Sequence, residues 1–180
     1  MKKVKLHDKE FELLLDSTVI DQAISRVANQ INVDLQEERP LFLSILNGSF
    51  MFTSDLLKQI TIPGTEICFM KISSYSGTCS TGKINEVIGL NKNIQGRTVV
   101  IVEDMIDSGK SMSYLIDYLK SKNPHSVKVA TMFYKPKALI CPVPVDYCAI
   151  ELENDFVVGR GLDYNDLGRN YPDLYILNQH

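Results

Sequence analysis

Residues 98–102, TVVIV, are apolar and almost wholly β-branched, and two acids, Glu103 and Asp104, follow without a break. A strand with no polar alternation has to be covered on both faces, because either face left in water would expose a row of aliphatic side chains. The chain then passes through Asp107-Ser-Gly-Lys-Ser111 into a stretch whose apolar residues, Met112, Leu115, Ile116 and Leu119, fall on one helical face. The strand thus feeds a turn and a helix, the local unit of a parallel sheet.

The same alternation recurs. Val19, Ile20, Ala23, Ile24, Val27, Ala28 and Ile31 have helical spacing, which predicts an amphipathic helix over 18–31. LFLSIL at 41–46 reads as a buried strand ending in the tight turn Asn47-Gly48, and 50–59 reads as a helix. Strands are expected at 65–72, 86–90, 98–103, 127–134 and 145–152, with the helix after the quoted turn over 111–121. The expected fold class is α/β, a mainly parallel sheet flanked by helices. Ligands of such sheets sit at the carboxyl ends of strands near the topological switch point, which directs attention to the loops after Leu46, Ile72, Val102 and Tyr134.

Residues 73–85, SSYSGTCSTGKIN, are small and polar with no apolar period, and a loop of that length inside a compact domain implies a function. At 180 residues, 44% of them hydrophobic, the chain suits one domain. A net charge of −3 offers no footprint for nucleic acid or an anionic membrane, so an anionic ligand must be held by local donors. No window has the apolar length of a transmembrane helix, and MKKVKLHDKEFELLL contains no apolar stretch of signal-peptide length. Cys68, Cys79, Cys141 and Cys148 show no CxxC spacing, and His7, His125 and His180 are scattered. No zinc site is expected; the cysteines read as reduced thiols of a cytoplasmic protein.

A glycine, a lysine and serines at a strand–helix junction form an anion site, since backbone N–H groups and the positive helix end face the ligand. A nucleotide phosphate loop needs glycine five residues before the Gly-Lys pair, and Asp104 stands there. Carboxylates beside a phosphate repel it unless they hold something between, such as sugar hydroxyls or a metal ion. A sugar phosphate accounts for the whole stretch; a solvated acidic turn capping a helix accounts only for its parts.

VVIVEDMIDSGKS resembles the phosphoribosyl pyrophosphate signature of the purine phosphoribosyltransferases, in their hypoxanthine-guanine branch. LNGSF at 46–50, SSY at 73–75, VKVATMFYK at 127–135 and DFVVGRGLDYNDLGRN at 155–170 resemble further segments of that family. The resemblance implies the type I phosphoribosyltransferase fold as a single domain over 1–180. Its core would cover roughly 16–140, under a small hood from 1–15 and 141–180. It implies magnesium-dependent transfer of 5-phosphoribosyl to N9 of hypoxanthine or guanine, giving IMP or GMP and pyrophosphate. The partners would be phosphoribosyl pyrophosphate and a 6-oxopurine, in a homodimer or homotetramer, with neither nucleic acid nor membrane.

By the same resemblance, Glu103 and Asp104 hold the ribose hydroxyls, in part through magnesium, which implies that the strand ends there. Asp107 is the general base or acid, and Asp107, Ser108, Gly109, Lys110 and Ser111 cradle the 5′-phosphate. Asn47, Gly48 and Arg169 bind pyrophosphate, and Ser74 and Tyr75 belong to a catalytic lid. Lys135 donates to the purine 6-oxo group, Phe156 stacks on the base, Val157 meets its edge through backbone groups, and Asp163 is a magnesium-associated acid at the purine site. Because an ammonium only donates, Lys135 opposes a 6-amino purine but leaves xanthine open. Two positions depart from the family pattern. Asn47 replaces a lysine or arginine, next to an expected cis peptide between Asn47 and Gly48, and Arg160 replaces an aromatic. A regulator that binds without catalysis is the rival class; the chain lacks a positive balance and retains Asp107 and the lid.

Overall fold

The computed structural model describes residues 2–72 and 86–178, which form two sheets. A hairpin of β1 (Lys3–Leu6) and β2 (Lys9–Leu15) leads into α1 (Ser17–Asp34). Next come β3 (Leu41–Leu46), α2 (Phe50–Leu57), β4 (Glu66–Ile72), β5 (Glu86–Ile88), β6 (Thr98–Ile106), α3 (Lys110–Lys120) and β7 (Ser126–Tyr134). A short 3-10 turn precedes β8 (Tyr147–Glu151), β9 (Val157–Val158) and β10 (Leu174–Leu177).

The larger sheet has six strands in the order β5-β4-β3-β6-β7-β8, parallel except for β5 at the edge. Residues 98–102 behave as their composition requires. Val100 and Val102 enter the core under α1 and α2, with Ile24, Val27, Ile31, Phe52 and Leu56. Val99 and Ile101 enter a second core under α3, with Met112, Leu115, Ile116 and Leu119. Successive strand residues face opposite sides, so one apolar run supplies both layers.

Helix boundaries follow local chemistry. The Asp16 carboxylate accepts from the Thr18 amide at 2.8 Å and caps α1, which begins at Ser17, one residue before the predicted start. The only polar residue of β3, Ser44, is fully buried but shares its hydroxyl with Ser49 and Thr53, each at 2.8 Å. Ser49 also donates to the Ile45 carbonyl. These small hydroxyl residues satisfy one another and bring α2 close over the end of β3, which fixes the intervening turn.

The second sheet is antiparallel, in the order β1-β2-β10-β9, around a small core of Leu6, Phe11, Val158 and Tyr175. It draws on both terminal segments and is here called the hood. The hood does not take all of 141–180, however: β8 pairs with β7 and completes the larger sheet, so that sheet reaches past residue 140. The individual hairpin strands β1 and β2 did not emerge from the periodicity. Their alternation is short and Phe11 is its one fully buried residue.

Truncating Leu115, fully enclosed between α3 and the sheet, is expected to lower unfolding stability by about 2–5 kcal/mol as Leu115→Ala. Val33→Ala, at a side chain 68% exposed on α1, is expected to change it by under about 0.5 kcal/mol. Urea denaturation of both variants checks the contrast.

Candidate active site

From β3 the chain steps outward to β4, whereas from β6 it steps the other way to β7 and β8. The strand order therefore reverses between β3 and β6, and a crevice opens beyond their carboxyl ends. On one side lies the turn after β3. Its cis peptide joins Leu46 to Asn47, one bond earlier than the expected Asn47–Gly48. Pairing of β3 with β4 runs through Leu46, so the first bond past the ladder is the one that departs. Gly48 lies against β6 so tightly that a Cβ there would overlap the Asp104 carboxylate.

On the other side lie the two acids. The strand does not end at them, as expected; β6 continues along β7 to Ile106, although its pairing with β3 stops at Val102. Loss of one neighbour opens the crevice while the other keeps the backbone extended. Each carboxylate turns back onto the chain. Glu103 Oε1 accepts from the Asp104 amide at 3.1 Å, and Asp104 Oδ1 from the Met105 amide at 2.7 Å. Desolvation, reinforced by the neighbouring Asp104 charge, pushes the Glu103 carboxyl well above the usual range. Desolvation also raises Asp104, against the opposing effects of its hydrogen bonds and the Arg169 charge.

Beyond the acids is a cavity of about 140 Å³ lined by Glu103, Met105, Ile106, Asp107, Ser108, Gly109, Ser111 and Met112. Gly109 precedes α3 at φ 76, and a Cβ on it would strike the Cys141 carbonyl. Lys110 and Ser111 form the first turn of α3, so the helix N-terminus opens onto this cavity. The Ser108 carbonyl accepts from the Ile140 and Cys141 amides at 2.9 and 3.0 Å, anchoring the cradle from behind. Cys68 and Cys148 are free thiols as expected.

Asp107 is half-exposed at the cradle's mouth. Facing it from the end of β7 is Lys135, 6% exposed, with Nζ 3.7 Å from Asp107 Oδ2 and 2.7 Å from the Asp155 carbonyl oxygen. The hood supplies the opposite wall. The Phe156 ring is 47% exposed, with its centroid 6.2 Å from that of Phe11 and 6.0 Å from that of Tyr164. Val157 follows on β9, an edge strand with one side unpaired. Farther round, Arg169 pairs with Asp163 at 2.7 Å and donates to the Gly161 carbonyl at 2.8 Å. The second Asp163 oxygen accepts from the Asp166 amide.

The expected residues thus gather around one crevice in three groups: Asn47 and Gly48 with Glu103 and Asp104; the cradle with Asp107; and Lys135 with Phe156 and Val157. Ser74 and Tyr75 lie outside the described residues. Asp163 is engaged with Arg169, and no group of three acid, histidine or cysteine side chains able to hold a metal occurs among the described residues. The sequence reading missed Asp155, whose carbonyl fixes Lys135, and Gly161, whose missing Cβ admits the Gly48 carbonyl. The Gly-Arg-Gly triplet at 159–161 was the visible signal for the second. For the first there was none, because a carbonyl contact carries no residue preference.

A phosphoribosyl transferase domain model matches residues 12–165. A hypoxanthine-guanine phosphoribosyltransferase of Streptococcus pyogenes serotype M3 is 36% identical over 169 residues, 93% of each chain. One from Streptococcus agalactiae serotype V is 39% identical over 151 residues, 83% of each. A solved hypoxanthine phosphoribosyltransferase structure from Staphylococcus aureus superposes with a TM-score of 0.87 at 31% identity, covering 99% of this chain and 98% of the other.

Crowding of the two acids has a stability consequence with a definite sign. A carboxyl raised on folding favours the folded state below the ordinary glutamate range and penalises it as pH climbs through the raised value. Glu103→Gln retains an oxygen for the Asp104 amide and removes the charge. It is expected to raise Tm at pH 8 by about 2–4 °C, corresponding to about 1 kcal/mol for a chain of this size. The gain should vanish near pH 3, well below the ordinary glutamate value, where the wild-type carboxyl is protonated in both states; calorimetry at the two pH values checks it.

Proposed function

Because the chain belongs to the phosphoribosyltransferase family and transfers phosphoribosyl from phosphoribosyl pyrophosphate to hypoxanthine and guanine in purine salvage, we propose that the residues of the Gly48–Asp104 crevice divide this work as follows. The 5′-phosphate occupies the cradle of Ser108, Gly109, Lys110 and Ser111, supported by its cavity and by the helix end behind it. The ribose hydroxyls meet Glu103 and Asp104. Pyrophosphate lies along Asn47 and Gly48 toward Arg169, whose planar guanidinium suits phosphate oxygens.

The observation that carries the purine assignment is the surroundings of Lys135. Its ammonium donates to the Asp155 carbonyl and lies 3.7 Å from the Asp107 carboxylate, so a free N–H can donate to a 6-oxo oxygen and cannot accept from a 6-amino group. Phe156 stacks on the base, and the open edge of β9 at Val157 offers backbone groups to its rim. N9 attacks the anomeric carbon as the bond to pyrophosphate breaks, and the purine proton passes to Asp107. Water would trap the sugar cation, so exclusion of solvent is the role of Ser74 and Tyr75.

Magnesium would be held by Glu103 and Asp104 together with substrate oxygens, with Asp163 near the pyrophosphate end. An all-oxygen donor set of one or two carboxylates and phosphates suits that ion. When bound, it supplies neutralisation of the leaving pyrophosphate. A homodimer or homotetramer is supported by Ile67, Phe69 and Ile88, large apolar side chains exposed near the β5 edge, and by Phe50 at the start of α2. The free thiols Cys68 and Cys148 support a cytoplasmic location.

A steady-state assay with phosphoribosyl pyrophosphate and magnesium tests this reading against hypoxanthine, guanine, xanthine and adenine. Hypoxanthine and guanine are expected to turn over and adenine is not. Asp107→Asn should lower kcat by about 10²–10⁴-fold, the usual contribution of a general base. Tight substrate binding without turnover of any purine would instead identify a regulator. Removing magnesium with a chelator should abolish turnover, and restoring it should recover the rate.

A further inference from the structure

Arg160 is a cation only 4% exposed, in the hood turn after β9. Its φ is 52, between Gly159 at 107 and Gly161 at 100, so three successive residues adopt left-handed backbone. The guanidinium leaves the hood and enters the larger layer. Nη1 donates to Asp55 Oδ2 on α2 at 2.8 Å; Nη2 donates to the Asp21 carboxylate on α1 and to the Ser17 carbonyl at 3.3 Å. Nε is buried without a partner among the described residues. A guanidinium drawn out of water in this way must be held by its carboxylates.

The backbone on either side of that side chain serves the site. The Arg160 amide donates to the Tyr171 carbonyl at 2.8 Å, and the Gly161 amide to the Arg169 carbonyl at 2.9 Å. The Gly161 carbonyl receives Arg169 Nη1, and Gly161 Cα faces the Gly48 carbonyl with no room for a side chain. Asp55, which grips Arg160, lies on the helix that begins two residues after Gly48. The contacts therefore close a ring: Gly48, α2, Asp55, Arg160, Gly161, and back to Gly48.

We propose that Arg160 is a positioning residue for pyrophosphate: its two-carboxylate clasp fixes the Gly161 turn against Gly48 and thereby sets both Arg169 and the Asn47–Gly48 turn. The inference rests on assigning those two elements to pyrophosphate. The purine wall is held separately. The Phe156 carbonyl accepts from Leu177, Val157 pairs with Ile176, and Lys135 is fixed by Asp155. Loss of the clasp should therefore affect one substrate and spare the other, which a mere stability role would not do.

The test compares wild type, Arg160→Lys, Arg160→Met, Asp55→Asn and Arg169→Gln. KM for phosphoribosyl pyrophosphate, KM for hypoxanthine and calorimetric affinity for magnesium pyrophosphate are measured for each. Arg160→Met should raise KM for phosphoribosyl pyrophosphate and Kd for pyrophosphate about tenfold, as expected when a binding group shifts by a fraction of an ångström. KM for hypoxanthine should stay within about twofold, and Arg160→Lys should recover part of the loss because it keeps the charge without the fork. If Arg160→Met does not fold, Asp55→Asn should show the same split at smaller amplitude. Equal changes in both KM values, or none in either, in the folded variants would overturn the proposal and leave Arg160 a structural tie. If Arg169→Gln weakens pyrophosphate and Arg160→Met does not, the positioning role alone fails. If Arg169→Gln leaves pyrophosphate affinity unchanged, the pyrophosphate assignment fails and the proposal with it.

Discussion

At Gly48 three parts of the chain come within van der Waals distance: the turn after β3, the Asp104 carboxylate on β6, and Gly161 in the hood. A side chain at either glycine would force two of these parts from the third. The contact lies at the strand-order reversal, where a parallel sheet separates its neighbouring connections and leaves a crevice. Joining the hood to the sheet here makes that crevice a site with two walls. The anion cradle and the acids belong to the sheet, whereas Phe156, Val157 and Arg169 belong to the hood.

The interior of this site opposes the folded state. Two adjacent carboxyls lie where desolvation raises both, and an arginine is buried with one nitrogen unpartnered among the described residues. These penalties are tolerated because the surrounding structure is independently secured. Cores cover both faces of the sheet, and the hydroxyl cluster of Ser44, Ser49 and Thr53 satisfies itself beneath the turn. The acids are also crowded for a chemical reason: a ligand that brings its own cationic or hydroxylic groups finds two carboxylates gathered at one place.

Much of the fold was legible because its strongest elements bury whole faces. A run such as TVVIV has one reading, and the helical faces of α1 and α3 each needed only their apolar spacing. Elements of the hood were harder. β9 has two residues, and β1 and β10 have four, too few for either period to declare itself. The acids were expected to end their strand because two neighbours cannot share a face in regular pairing. Instead β6 loses one partner and keeps the other, a distinction that exists only between strands.

The sequence by itself determined which chemistry was present: an apolar strand, two acids, an anion-binding helix start, a donor-only lysine and an exposed aromatic. Residue types carry those properties wherever they fold. Tertiary structure alone decided which of them meet. Asp155 lends a carbonyl to Lys135 from twenty residues away, and Arg160 crosses from the hood to reach Asp21 and Asp55. Such contacts depend on backbone paths brought together by separate hydrophobic cores, and neither partner's local sequence encodes the distance between them.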